Sequence, residues 1–427
     1  MSISIENGHL NIGGADAVAL AQEYGTPLYV MDEEIIRSRC RTFKNALEEA
    51  TQGRCRVIYA SKAFNCMEMC RIVKDEGLGI DVVSGGELYT AIKAGFDPEK
   101  IYFHGNNKSL WELTLSLDNS VGRIVVDNIN ELTALNALAG EKGKTTDIMF
   151  RIKPGVDAHT HDFVKTGQID SKFGVALETG EAMDIVKAAH AMDNVRVAGI
   201  HCHIGSQIFD TEPFVTAADV MMDFMAQVKK EIGLTIGELN LGGGFGISYT
   251  GEDNPRPYEE YMVEIANEVQ RKANELSMDV PFLLVEPGRS IVGSSGVTLY
   301  TVGSVKNIPN IRTYVSVNGG MTDNPRFALY QSKYTMTLAN KADKPRNTVV
   351  TVAGKCCESG DLLGENIELQ QAEAGDILAV LSTGAYNYSM SSNYNRTPKP
   401  ACVMVNNGQV RTVIKGETLD DIIRNDV

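Results

Sequence analysis

The sequence is short of positive charge, of long apolar runs and of paired cysteines, and each shortage excludes something. Lys and Arg number 40 against 55 Asp and Glu, a formal net charge of −15. An acidic chain of this kind opposes non-specific attraction to nucleic acid and to anionic membranes. The first twenty residues lack the basic start and apolar core of a signal peptide. The uncharged stretch 377–395 is broken by Ser, Asn and Tyr and cannot span a bilayer. The eight cysteines show neither a CxxC pair nor metal-finger spacing. They read as reduced thiols in a cytoplasmic protein, and no metal site is expected. Two nucleotide-binding patterns also fail. The glycine run from Gly242 has Ile247 where a G-x-G-x-x-G motif needs its third glycine, and Gly143-Lys144-Thr145 has Leu138 where a P-loop needs glycine.

What is present is ample core material, 43% hydrophobic against 22% charged over 427 residues, enough for two or three domains. Between about 55 and 286, short β-rich runs alternate with segments of helical periodicity. The runs are 56–60, 80–83, 101–103, 124–126, 147–152, 197–203, 238–241 and 282–286. Strands alternating with helices imply βαβ units and a parallel sheet, and eight of them match a (β/α)8 barrel, with a doubly wound open sheet as the competitor. After residue 290, Val-, Thr- and Tyr-rich runs broken by Gly, Asn and Pro predict a mostly antiparallel β domain. Residues 3–12, hairpin-like around Asn7-Gly8, are expected to join it. The predicted divisions are 1–33 (packing with the β domain), 34–286 (barrel) and 287–427 (β domain).

Barrel active sites collect at the C-terminal ends of the strands, and every predicted strand here ends in a polar group. These are Ser61-Lys62, Asp81, His104, Asp127, Arg151, His201-Cys202-His203 with Ser206, Gly242-Gly243-Gly244, and Glu286 with Arg289. Lys62, desolvated beside an apolar strand, would suit a nucleophilic amine, though alone it reads first as a solvated lysine. The triple glycine is a phosphate cradle or a tight turn. His201 and His203 share a strand face, as ligands or as satisfied core residues. Glu286 is too costly to bury unpaired and implies a cationic partner, a protonated ring nitrogen or Arg289. In the β domain, Cys357 and Glu358 share a Gly-bounded loop, Tyr386 follows an apolar strand, and Arg326 with Tyr330 could clamp a carboxylate.

Taken in order, Tyr59-Ala60-Ser61-Lys62-Ala63, His201-Cys202-His203-Ile204-Gly205-Ser206-Gln207, the triple glycine, Glu286-Pro287-Gly288-Arg289 and Cys357-Glu358-Ser359-Gly360-Asp361 resemble the alanine-racemase-fold, PLP-dependent decarboxylases. The last motif and Gly319-Gly320-Met321-Thr322-Asp323-Asn324-Pro325-Arg326 resemble the branch acting on diaminopimelate. The resemblance implies a pyridoxal 5'-phosphate enzyme that decarboxylates meso-2,6-diaminopimelate to L-lysine. Lys62 would form the Schiff base, His203 would stack on the ring, and Ser206, Gly243 and Gly244 would hold the phosphate. Glu286 would pair with the ring nitrogen, with Asp81 and Arg289 also at the cofactor. Arg289, Arg326, Tyr330 and Glu358 would grip the far end of the substrate, Tyr386 would touch both, and Cys357 would donate the proton. A homodimer with shared active sites is implied. The departures at Asn318, Phe327 and Asp162-Phe163 fall on none of these groups, and the loop 153–175 is expected to close over the site. Rival readings are a decarboxylase for ornithine, lysine, arginine or carboxynorspermidine, a racemase, and a non-enzymatic PLP-binding protein. Arg289 and Arg326 with Glu358, the candidate thiol and the large β domain disfavour them in turn.

Overall fold

The computed structural model describes residues 3–156 and 171–427. The chain divides into two compact units, Arg39–Ile247 with Asn254–Ser290, and Met1–Ser38 with Ser248–Asp253 and Ile291–Val427.

The first unit is a closed barrel of eight parallel strands: β1 (Cys55–Ala60), β2 (Gly79–Val82), β3 (Ile101–Phe103), β4 (Arg123–Val126), β5 (Thr146–Lys153), β6 (Val195–His201), β7 (Glu238–Asn240) and β8 (Phe282–Val285). Each pairs with the next, β8 returns to β1, and the β4–β5 ladder completes the ring. The open-sheet alternative is thereby excluded. Side chains alternate across each strand, so the inward set can be read in layers. Ile58, Tyr102, Val125, Met149 and Leu284 form a buried apolar plug. Gly199 is pressed against it, since a Cβ there would lie 2.5 Å from Met149 Cε. Two residues earlier the layer is polar: Arg123 pairs with Glu238 at 2.5 Å and Asp147 at 3.2 Å. Two residues later come Ala60, His104, Asp127, Arg151, His201 and Glu286, which face the open C-terminal end.

Caps immediately after the strands start the helices at that same end. Ser84 Oγ accepts from Glu87 N–H at the head of Gly85–Lys93, Ser109 and Glu112 form a capping box for Leu110–Asp118, and Asn128 caps Ile129–Glu141. The helix Glu33–Thr51 precedes β1. Sequence reading missed it, although Ile36, Cys40, Phe43 and Leu47, all fully buried, recur at helical spacing.

The second unit is built on one long strand, Gly296–Ile308. Its first half pairs with Leu28–Asp32 and Ile377–Leu381, its second half with Arg312–Val317, all antiparallel. The N-terminal segment therefore joins this sheet, and the exceptions to antiparallel pairing are Leu28–Asp32 with Ala401–Asn406 and Arg312–Val317 with Thr348–Ala353. Ile3–Glu6 and His9–Ile12 form the expected hairpin, with Asn7 and Gly8 at φ 52° and 81°. The run 401–413 is a second hairpin, turning at Asn407-Gly408 between Ala401–Asn406 and Gln409–Ile414. Strand Leu362–Leu369 was not foreseen, because Gly364, Asn366 and two glutamates mask an edge strand that needs only one apolar face.

Candidate active site

At the C-terminal end of the barrel lies a cavity of about 310 Å³ lined by Lys62, Asp81, His104, Arg151, Phe173, His201, His203 and Glu286 among others. Strand parity explains all of these but Phe173, which precedes the short strand Val175–Ala176: they are the inward side chains at, or just beyond, the ends of β1, β2, β3, β5, β6 and β8. Lys62 sits in the turn Ser61–Ala63 directly after β1. Glu87, on the helix Gly85–Lys93 that follows β2, ties that turn to the end of β2, accepting from Ser61 Oγ at 3.0 Å and Val83 N–H at 2.8 Å.

The centre of the cavity wall is Glu286. Burial works to raise its pKa, but His104 Nε2 at 2.9 Å and His201 Nε2 at 3.3 Å hold it well below the usual carboxylate range. Asn240 Nδ2 donates to Oε1 at 2.7 Å. The two imidazoles meet edge to face, centroids 4.7 Å apart. Burial pushes His201 down to about 4 and His203 well below its ordinary value, the latter with help from the Lys62 and Arg151 charges. Both are therefore neutral near pH 7. His203 Nδ1 accepts from Gly243 N–H at 3.3 Å, which leaves its proton on Nε2. Asp81 goes the other way: burial raises it, and its Oδ1 accepts no hydrogen bond among the described residues. Arg151 lies under the Phe173 ring, 4.2 Å from its centroid.

Beside this wall the backbone turns where no side chain fits. Gly242 and Gly244 have φ of +67° and +118°, and a Cβ on Gly243 would lie 2.0 Å from Glu286 O. A Cβ on Gly244 would lie 2.4 Å from Gly205 O, so two glycine turns pack backbone to backbone. Gln207 locks them, donating to Ile247 O at 2.7 Å and accepting from Ile247 N–H at 3.1 Å. Arg289 Nη2 donates to Ser206 Oγ at 2.9 Å, bringing a guanidinium to the same turns. Such glycine turns, with no side chain to block the approach, beside an arginine suit a phosphate.

The remaining predicted residues belong to the β unit. Arg326 is buried, with Tyr330 and Tyr386 rings 5.1 and 5.5 Å from its guanidinium carbon. Cys357 and Glu358 are exposed on one loop. The Cys357 N–H donates to Asn395 Oδ1 at 2.8 Å, and Glu358 Oε1 accepts from Gly360 N–H at 3.2 Å.

Thus the structure brings Lys62, Asp81, His203 and Glu286 to one cavity, Ser206 and Arg289 into contact, and Arg326, Tyr330 and Tyr386 into one cluster. The proposed closing loop 153–175 and Asp162-Phe163 fall largely or wholly in 157–170, outside the described residues. Sequence reasoning placed His104, Arg151 and His201 at strand ends without assigning them a role, and it overlooked Asn240. The missing signal was alternation along β7, which turns Asn240 inward beside Leu239.

A pyridine ring bearing an aldehyde and a phosphate fits these groups: an amine at Lys62, an ionised carboxylate at Glu286 for a protonated ring nitrogen, and glycine turns beside Ser206 and Arg289 for the phosphate. A family model described as pyridoxal-dependent decarboxylase, pyridoxal binding domain, matches residues 33–293. Diaminopimelate decarboxylase of Bacillus methanolicus is 52% identical over 410 residues, covering 96% of this chain and 95% of that one. The Bacillus subtilis enzyme of the same name is 49% identical, covering 99% and 96%. A solved structure of diaminopimelate decarboxylase from M. jannaschii, in co-complex with L-lysine, superposes with a TM-score of 0.93 at 37% identity, covering 100% of this chain and 97% of that one. With a barrel whose strand ends present an amine, an ionised carboxylate and a glycine cradle, the chain belongs to the pyridoxal-phosphate-dependent diaminopimelate decarboxylases, a family of carboxy-lyases.

Proposed function

We propose that the chain decarboxylates meso-2,6-diaminopimelate to L-lysine and CO2, with Lys62 attaching the cofactor and Cys357 supplying the proton that replaces the carboxylate. The observation that carries this reading is Glu286, a buried carboxylate kept ionised by two imidazoles and an amide on the wall of the cavity that holds Lys62. Lys62, Asp81, His203, Ser206, Gly243, Gly244, Glu286, Arg289 and Tyr386 would hold pyridoxal phosphate. When bound, the cofactor supplies the electron sink that lets the bond to the α-carboxylate break.

The chain's own residues supply the rest. Glu286 keeps a negative charge beside the ring-nitrogen position without competing for its proton, because its own affinity for protons is depressed. His203, neutral and with its Nδ1 engaged, presents a flat face that adds no positive charge. Arg289, Arg326 and Tyr330 would bind the distal carboxylate of the substrate and Glu358 its ammonium, and Tyr386 would touch both cofactor and substrate. Cys357 holds a transferable proton on an accessible thiol. Its neighbour Cys356 is pushed up to about 11 by burial and Asp361. The exposure of Cys357 and Glu358 in the single chain supports a homodimer in which this loop serves the neighbouring subunit's site. Among the described residues no disulfide forms, which suits the reducing cytoplasm. No described helix is long and apolar enough to cross a membrane.

The test is CO2 and lysine release from the purified, cofactor-loaded protein given meso-diaminopimelate, with L-ornithine, L-lysine and L-arginine in parallel. Release from diaminopimelate alone is expected. Release from another of these amino acids instead would overturn the substrate assignment, and no release from any would overturn the decarboxylation.

A further inference from the structure

We propose that Asp361 is a positioning residue, a buried carboxylate that clamps the loop carrying Cys357 and Glu358 to the loop that leads into Arg326. Its two oxygens serve two loops. Oδ1 accepts from Met321 N–H at 2.6 Å and Oδ2 from Cys356 N–H at 2.7 Å. The side chain is 3% exposed, so no water competes for these bonds, and charge-assisted bonds of this length are among the stronger ones. Backbone bonds close the same knot: Lys355 N–H donates to Gly319 O and Gly354 N–H to Asp361 O, each at 2.9 Å.

Two glycines make room for the carboxylate. A Cβ on Gly320 would lie 2.4 Å from Asp361 Oδ1, and one on Gly354 2.2 Å from Oδ2. The clamp bears on both ends of the proposed chemistry. Cys356 precedes the candidate proton donor, and the loop of Met321 runs into the helix Arg326–Tyr330, which carries the candidate carboxylate clamp. In the shared-site dimer proposed above the two loops serve different sites, and an error of about 1 Å in the placement of either can cost ~100-fold in rate.

The consequence for catalysis rests on the function proposed above; the clamp itself does not. Hydrogen exchange on the native, cofactor-loaded protein tests the clamp. The Met321 and Cys356 amides are expected to exchange at least ~100-fold more slowly than in an unstructured peptide, and exchange at open-loop rates would overturn it. Asp361→Asn, which keeps the shape but presents an amide NH2 to one of the two N–H groups, tests the consequence. We expect kcat with meso-diaminopimelate to fall roughly 10- to 100-fold, with KM within about threefold and the visible absorbance of bound cofactor unchanged. Exchange should quicken at Met321 and Cys356 while the strand Ile377–Leu381 stays protected. Native kinetics in the variant, or a loss that merely follows lost cofactor and global protection, would overturn the positioning role. A native protein inert toward meso-diaminopimelate would sink the function and leave the exchange result standing.

Discussion

Acidification should destabilise the barrel through one identifiable group, His201. Its ring is 1% exposed, and burial lowers its pKa from 6.5 to about 4. The folded state therefore refuses a proton that the unfolded chain accepts. For a group whose folded pKa is depressed, stability is fully present above the unfolded value near 6.5 and is lost as pH falls toward about 4. At 1.36 kcal/mol per unit, that window amounts to about 3 kcal/mol, and about 2 kcal/mol is already gone by pH 5. Other buried groups titrate in the same range, so the comparison is with His201→Gln, which keeps a donor near Glu286 but cannot titrate. Urea unfolding at several pH values from 7 to 4.5, at matched cofactor loading, would be followed by the fluorescence of the sole tryptophan, Trp111, on a barrel helix. The native protein should lose stability more steeply with acid than the variant, by up to ~1.4 kcal/mol per pH unit. Parallel pH dependences would refute the reasoning and show that the buried ring is not the group that takes up the proton.

Three further substitutions probe the site. Lys62→Ala should abolish both turnover and the visible absorbance of lysine-bound cofactor; turnover retained in a spectrophotometric assay would remove Lys62 from its role. Glu286→Gln removes the charge that His104, His201 and Asn240 surround, and losing one charge-assisted interaction of ~1.5–3 kcal/mol should lower kcat about 10- to 100-fold. An unchanged kcat would show that the carboxylate charge is not used. Gly243→Ala places a methyl 2.0 Å from Glu286 O, so cofactor affinity measured by titration of apoenzyme should fall at least ~10-fold through displaced amides. Native affinity would mean the turn has room to spare.

How far the molecule was legible from sequence depends on the range of the interaction. Periodicity is local, and it gave all eight barrel strands and the polar group at the end of each except β7, where Asn240 was overlooked. It gave Asn7-Gly8 as a hairpin turn for the same reason. The cluster around Glu286 is not local: His104, His201, Asn240 and Glu286 come from four strands, and only the order in which the sheet closes makes β6, β7 and β8 neighbours. Sequence could place a charge at Glu286 and demand a partner. It could not say that the partners within the chain are two imidazoles and an amide, while the Arg289 guanidinium reaches Ser206. The Asp361 knot is hidden likewise, since its bond to Met321 spans 40 residues. The choice of Cys357 over Cys356 came from the family motif; burial, which leaves Cys356 half-covered and Cys357 exposed, is a difference that adjacency in sequence does not show.

The carboxylates around the cavity argue that its electrostatics are arranged rather than incidental. Asp81, Glu87 and Asp127 are all raised, with burial the leading cause in each. Glu286 feels the same penalty yet ends well below its usual range, because imidazoles stand against both of its oxygens. Burial alone would have moved all four the same way. A barrel needing only a filled interior would gain nothing from a buried anion, and apolar packing there would cost less. The arrangement makes sense if a cation arrives at Glu286, since the carboxylate then gains the partner that justifies its desolvation. Asp81, which lines the same cavity and keeps an oxygen unbonded among the described residues, leaves an acceptor facing whatever arrives there.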